Sequence, residues 1–248
     1  MSGHRKGHGI HSPFVYDLVS KVFMNNIDPA IVFAVEQVRK KMISDKRIIL
    51  VKDLGSRSGS LKMNLRKVSE IARYSPVPRK YGELLSKMAA EFGKPLIIEL
   101  GTSLGISTMY MAASSADATV YTIEGCPEIA EIARQNFIEA ELNNIRILEG
   151  SFDEVLQDFS IKDSKPGLVF IDGHHRKKPV IKYFNRMAEL SDSKTVIIID
   201  DINYSKEMAE AWDEIKLHRK VSVSIDIFRM GILFFREGIN HNDYIIRY

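Results

Sequence analysis

The chain of 248 residues carries 35 basic and 32 acidic side chains, a net charge of +3, with 45% hydrophobic and 27% charged residues. That length can bury one large α/β core, alone or with an appended piece, and so even a charge balance argues against a dedicated nucleic-acid binder, although a pI near 8.8 leaves RNA open. The single cysteine, Cys126, excludes an internal disulfide framework and fits a reducing compartment. The N-terminus MSGHRKGHGIHSPF is basic but has no apolar stretch, and no run approaches the ~18 apolar residues of a membrane span. The expectation is a cytoplasmic protein without a signal peptide.

Ser12-Pro13 and Asp28-Pro29 each place a capping side chain before a proline at the first helical position. Phe14, Leu18, Val22 and Phe23 share one face of the first predicted helix, and Ile31, Val35 and Val38 one face of the second. Residues 51–60, VKDLGSRSGS, read as a Gly/Ser-rich loop with Lys52 and Arg57, either a linker or a lid. A helix is predicted over Leu61–Arg73, a break at Ser75–Pro78 and another helix over Lys80–Phe92.

From Lys94 onward strands and helices alternate. Strands are predicted at Leu96–Leu100, Thr119–Glu124, Ile145–Glu149, Leu168–Asp172 and Thr195–Asp200, and helices at Ile106–Ser114, Pro127–Leu142, Phe152–Phe159, Pro179–Leu190 and Lys206–His218. Such alternation is the signature of βαβ units and a parallel sheet. The runs VSVSIDIF and GILFFR, separated only by Arg229 and Met230, fit an antiparallel pair.

The chemistry gathers at the predicted strand ends. Gly101 and Gly105 flank Thr102, Ser103 and Leu104 between a strand and a helix, a turn whose backbone can approach a ligand closely. Glu124 ends the next strand about 20 residues later, where a carboxylate can accept both hydroxyls of a ribose. A dinucleotide turn has glycine at its middle position, where this chain has Ser103. Glu99 would repel a pyrophosphate but suits a ligand carrying positive charge, such as an amino acid or a sulfonium. Asp172, Asp200 and Asp201 close two further strands, and carboxylates gathered at one place repel unless a cation or proton intervenes. Oxygen-only ligands favour Mg²⁺, Ca²⁺ or Mn²⁺.

The ordered segments IELGTSLGIST, VYTIEG, IRILEGSFDEVL, GLVFIDGHH and VIIIDDIN resemble the class I S-adenosylmethionine-dependent methyltransferases, in particular the catechol and caffeoyl-CoA O-methyltransferase branch. The resemblance covers residues 80–236 or so. It implies a doubly wound, Rossmann-like sheet of seven strands, one of them antiparallel, the C-terminal hairpin supplying that strand. By the same resemblance the turn Gly101, Thr102, Ser103, Gly105 and Ser107 holds the methionine part of the cofactor, with Glu99 facing its ammonium group. Glu124 binds the ribose, and Gly150, Ser151 and Phe152 lie beside the adenine, with Cys126 as a wall of that pocket or a packed small hydrophobe. Asp172, Asp200 and Asp201 hold Mg²⁺ or another divalent cation that binds the acceptor hydroxylate; Asp201 stands where the branch has asparagine. His175 replaces its catalytic lysine, as general base or orienting group, with Asp172 as a second catalytic residue that also borders the cofactor.

The expected division is an N-terminal helical extension, 1–78, and a methyltransferase domain, 79–248. The extension covers the acceptor opening or forms a homodimer contact. Metal-assisted O-methylation of a small-molecule hydroxyl is the leading reading. Its rivals are methylation of a modified RNA base, an NAD-dependent oxidoreductase, and a non-catalytic module that keeps the cofactor fold. His174 reads as a loop residue, Arg176-Lys177-Lys178 as a solvated helix start, and His4, His8 and His11 as a solvated terminus.

Overall fold

A computed structural model describes residues 12–53, 62–160 and 164–248. The three N-terminal histidines and Arg57 lie outside them. Helix α1 (Pro13–Asp17) starts where Ser12 Oγ accepts from the Val15 N–H, and continues as a π-helical turn, Leu18–Phe23. Helix α2 (Pro29–Ser44) starts where Asp28 accepts from the Ala30 N–H at 2.8 Å. Both predicted caps therefore form.

The next segment departs from the expectation. Strands β1 (Ile48–Asp53) and β2 (Lys62–Lys67) form an antiparallel hairpin that is a sheet of its own, and only then comes helix α3 (Val68–Tyr74). Leu61, Leu65 and Val68 recur at helical spacing, but Leu65 stays exposed on β2 while Val68 is buried. Strand pairing takes the backbone hydrogen bonds that a longer helix would have used.

Helix α4 (Arg79–Phe92) then leads into the alternating part: β3 (Leu96–Leu100), α5 (Ile106–Ser114), β4 (Thr119–Glu124), α6 (Pro127–Glu139), β5 (Ile145–Glu149), α7 (Phe152–Asp158), β6 (Leu168–Ile171), α8 (Lys177–Leu190), β7 (Val196–Ile199) and α9 (Lys206–Lys216). Strands β8 (Val223–Asp226), β9 (Gly231–Phe234) and β10 (Asn242–Ile245) complete an eight-stranded sheet of order β10-β8-β9-β7-β6-β3-β4-β5. All neighbouring pairs are parallel except those made by β9, which runs against both β7 and β8. The α/β class and the single reversed strand are as the sequence indicates; the short edge strand β10 is an addition.

Successive residues of the central strands are buried in opposite layers. Ile97, Phe170 and Ile198 pack with Leu84, Met88 and Met111, whereas Ile98, Val169 and Ile197 pack with Phe184, Met187 and Trp212. Burial on both faces explains why these strands read as unbroken apolar runs. Val15, Leu18, Val22 and Phe23 join the first layer, so the N-terminal segment shares the core of the sheet. Strand order reverses between β3 and β6, which opens a crevice at their carboxyl ends, the usual ligand site of such sheets.

Candidate active site

At that crevice lies a cavity of about 770 Å³, within the range of small-molecule sites. Its walls include Gly101, Ser103 and Glu124 at the ends of β3 and β4, and Gly150, Ser151 and Phe152 at the start of α7. Asp172 and His175 line it after β6, Asp201 after β7. Seven of the predicted cofactor residues are thus brought together with His175 and Asp201 around one space.

The turn after β3 is shaped by close packing. Gly101 has φ +109°, and a Cβ there would lie 2.0 Å from the Asp172 carbonyl oxygen; Gly105 has φ +83° and its Cβ would meet the Phe137 ring. Only glycine fits either place. Four of the turn's five backbone donors are already used: Gly101 and Thr102 donate to the Ile123 carbonyl, Gly105 to that of Thr102, and Ser103 to the Glu124 carboxylate at 2.9 Å. Those four N–H groups are therefore not open to a pyrophosphate.

Glu124 is gripped through its other oxygen by the Cys126 N–H at 2.9 Å. Burial raises its carboxyl above the ordinary value, and the N–H groups of Cys126 and Ser103 oppose that rise. The Cys126 side chain is buried away from the cavity wall, with Sγ near the Lys52 N–H and the Leu50 carbonyl of β1. Ser151 closes a capping box with Glu154 at the start of α7.

Glu99 is set apart from these residues. It is fully buried and absent from the cavity wall. Ser107 and Thr122 hydroxyls each donate to it at 2.6 Å, and Thr108 donates as well. Burial pushes its carboxyl up to about 7 against those three hydroxyls. The reason lies in strand parity: Glu99 shares the side of β3 occupied by Ile97, so it points under the helix layer and not off the strand end. Thr102, Gly105 and Ser107 are likewise turned inward, and Thr102 bonds Thr122 at 2.6 Å.

At the opposite end of the cavity, His175 Nδ1 faces Asp201 Oδ2 at 3.8 Å, and its ring packs on Tyr204 at 5.6 Å between centroids. His174 is wedged between the rings of Phe152 and Tyr183. Both His174 (φ +52°) and Asp201 (φ +54°) adopt left-handed backbone that side-chain-bearing residues seldom take, a kind of strain that concentrates at functional sites. Lys177 pairs with Glu210 and Glu214 on α9.

One residue of the site is unmarked in the sequence: Arg229. It sits in the turn between β8 and β9, lines the cavity, and grips Asp200 with Nε at 2.9 Å and Nη2 at 2.7 Å. Nη2 also reaches Asp201 Oδ1 at 3.2 Å. Burial, then the carboxylates of Asp200 and Asp201, push Asp172 well above the usual carboxylate range, and Arg229 pulls the other way. A divalent cation does not fit this donor set as it stands, because Asp200 is fully buried behind the guanidinium and Asp201 is shared with it. Among the described residues no group of three or more His, Cys, Asp or Glu is poised to hold a metal ion, and no helix is long and apolar enough to cross a membrane.

Residues 98–202 match the sequence model of a methyltransferase domain. The chain is 30% identical over 131 residues to a catechol O-methyltransferase of Niastella koreensis, covering 52% of this chain and 57% of that protein. The chain spans about half the length of the curated relatives it matches. In fold it is similar to the O-methyltransferase of Bacillus cereus solved with SAH (TM-score 0.59, 22% identity, 89% of this chain and 97% of that one). It is also similar to TomG of Streptomyces achromogenes, an O-methyltransferase of tomaymycin synthesis solved with SAM (TM-score 0.58, 17% identity, 90% and 95%). Through its matched segment and its fold, the chain resembles the class I S-adenosylmethionine-dependent methyltransferases, with O-methyltransferases of the catechol branch among its relatives.

Proposed function

We propose that the chain is an S-adenosylmethionine-dependent methyltransferase that methylates a hydroxyl of a small molecule. One observation carries the reading: a single cavity runs from Glu124 to the His175–Asp201 pair, so a donor held at one end and an acceptor at the other share continuous space. Ser103, Gly150, Ser151 and Phe152 would flank the adenosine, with Glu124 accepting from its ribose hydroxyls. Phe152 offers an aromatic surface for the adenine.

In this reading the acceptor oxygen attacks the methyl carbon in line with the departing sulfur; the carbon–sulfur bond breaks as the carbon–oxygen bond forms, and the sulfonium leaves as a neutral thioether. His175 takes the hydroxyl proton, its Nδ1 turned toward Asp201 so that Nε2 is the basic atom. Asp201 stabilises the imidazolium that results. The chain's contribution is positioning and electrostatics. No step is routed through a metal ion: the metal-assisted form that the resemblance implies would require Asp200 and Asp201 to give up Arg229.

The support is the convergence of the matched segment with this geometry. The engaged backbone donors of the Gly101–Gly105 turn weigh against the dinucleotide rival. The test is transfer of labelled methyl from S-adenosylmethionine to a panel of small phenolic and aliphatic hydroxyl compounds, with calorimetric binding of the donor measured alongside. Absence of donor binding would overturn the reading; donor binding without transfer to any acceptor would favour the non-catalytic module.

A further inference from the structure

The acceptor end of the cavity contains a cation supplied by the chain itself. Arg229 is not a long side chain that happens to lie nearby, because its backbone is fastened to the segment that carries the aspartates. The Ile202 N–H donates to the Arg229 carbonyl at 3.0 Å, and Asn203 Nδ2 donates to the Phe228 carbonyl at 2.7 Å. Within the turn, the Ile227 N–H donates to the Met230 carbonyl and the Arg229 N–H to that of Ile227, with Phe228 at φ +76°. The turn is built to deliver a guanidinium to the end of β7.

The guanidinium meets the carboxylates in the fork geometry that arginine alone provides. Nε and Nη2 address the two oxygens of Asp200, whose side chain has no exposed surface, and Nη2 continues to Asp201. Asp201 then turns its other oxygen, Oδ2, to His175. A divalent ion at these oxygens would sit about 2.0–2.6 Å from them. It would compete for the same lone pairs and face a like charge in a buried place.

We propose that Arg229 is the resident cation of this site, taking the place that a divalent metal occupies in metal-assisted relatives and setting Asp201 toward His175, so that the wild-type site binds no metal ion. The proposal rests on the cavity being a methyl-transfer site, but its principal test needs no turnover. Manganese(II) is titrated into wild type, Arg229→Met, Arg229→Lys and Asp200→Asn, and free ion is counted by electron paramagnetic resonance. Wild type and Arg229→Lys should retain no stoichiometric Mn²⁺ at millimolar ion. Arg229→Met frees the carboxylates and should bind Mn²⁺ at least about tenfold more tightly than wild type.

Stoichiometric Mn²⁺ on the wild type, abolished by Asp200→Asn, would overturn the proposal whether or not Arg229→Met folds. A folded Arg229→Met, judged by circular dichroism, that binds no more Mn²⁺ than wild type would overturn it too. Failure of donor binding would instead strike the methyltransferase reading and leave the ion counts standing.

Discussion

Ser103 and Glu124 are tied across the carboxyl edge of the sheet: the Ser103 N–H donates to one oxygen of the Glu124 carboxylate at 2.9 Å while the Cys126 N–H holds the other. The carboxylate thus fixes the turn after β3 as well as facing the cavity. Hydrogen bonds to charged groups contribute about 1.5–3 kcal/mol each. Glu124→Ala should weaken S-adenosylmethionine binding by at least tenfold in calorimetry and also lower the thermal midpoint. Unchanged affinity in a folded variant would remove Glu124 from the cofactor site.

Glu99 makes stability depend on pH with a definite sign. Its folded value, about 7, lies above the ordinary 4.5, so the native state binds the extra proton between those values. Stability contributed by that proton is present below about pH 4.5 and is lost as pH rises through about 7, a change of roughly 3 kcal/mol. Glu99→Gln, which keeps the shape but cannot ionise, should gain stability relative to wild type between pH 5 and pH 8. Thermal unfolding of both proteins across that range decides it, and parallel profiles would count against the assignment.

Gly101→Ala should be severe. The new Cβ would sit 2.0 Å from the Asp172 carbonyl oxygen at a φ of +109°. Left-handed backbone alone costs a residue with a side chain about 1–3 kcal/mol, and for a chain of this size each kcal/mol lowers the midpoint by about 2–4 °C. Because the clash pushes on Asp172, donor binding should fall together with the midpoint. A variant as stable as wild type would mean that the turn is not packed as described.

His175→Ala should lower the methyl-transfer rate by about 10²–10⁴-fold, the usual contribution of a general base. Donor affinity should stay within about twofold, because His175 stands at the end of the cavity remote from Glu124. Single-turnover rates with saturating donor make the distinction. A matching loss of donor affinity would reassign His175 to cofactor binding.

Most of the sheet was legible because its strands are short apolar runs bounded by turn residues, and burial on both faces leaves no polar break within them. The clustering of Glu124, Asp172 and Asp201 was legible for a related reason: each stands at or just past a strand end, and a parallel sheet sends those ends to one edge. Three features were not. Glu99 also stands near a strand end, but one residue's difference in parity turned it under the helices. Leu61, Leu65 and Val68 imitate a helix by spacing, while pairing with Ile48–Asp53 made Lys62–Lys67 a strand. Arg229 lies 29 residues from Asp200, in a turn whose sequence gives no sign of what it will face.

The reversal of strand order between β3 and β6 has a consequence for how this chain can diverge. Apart from the β1–β2 hairpin and the start of the loop after α3, the Glu124 end of the cavity is drawn from residues 101–152 and the opposite end from residues 172–229. The two stretches follow one another without interleaving, and they meet at the packing of Gly101 on Asp172 and of Gly173 on Phe152. Substitutions at the cavity-lining positions of the second stretch can therefore reshape one end of the cavity while those seam contacts and the first stretch stay as they are.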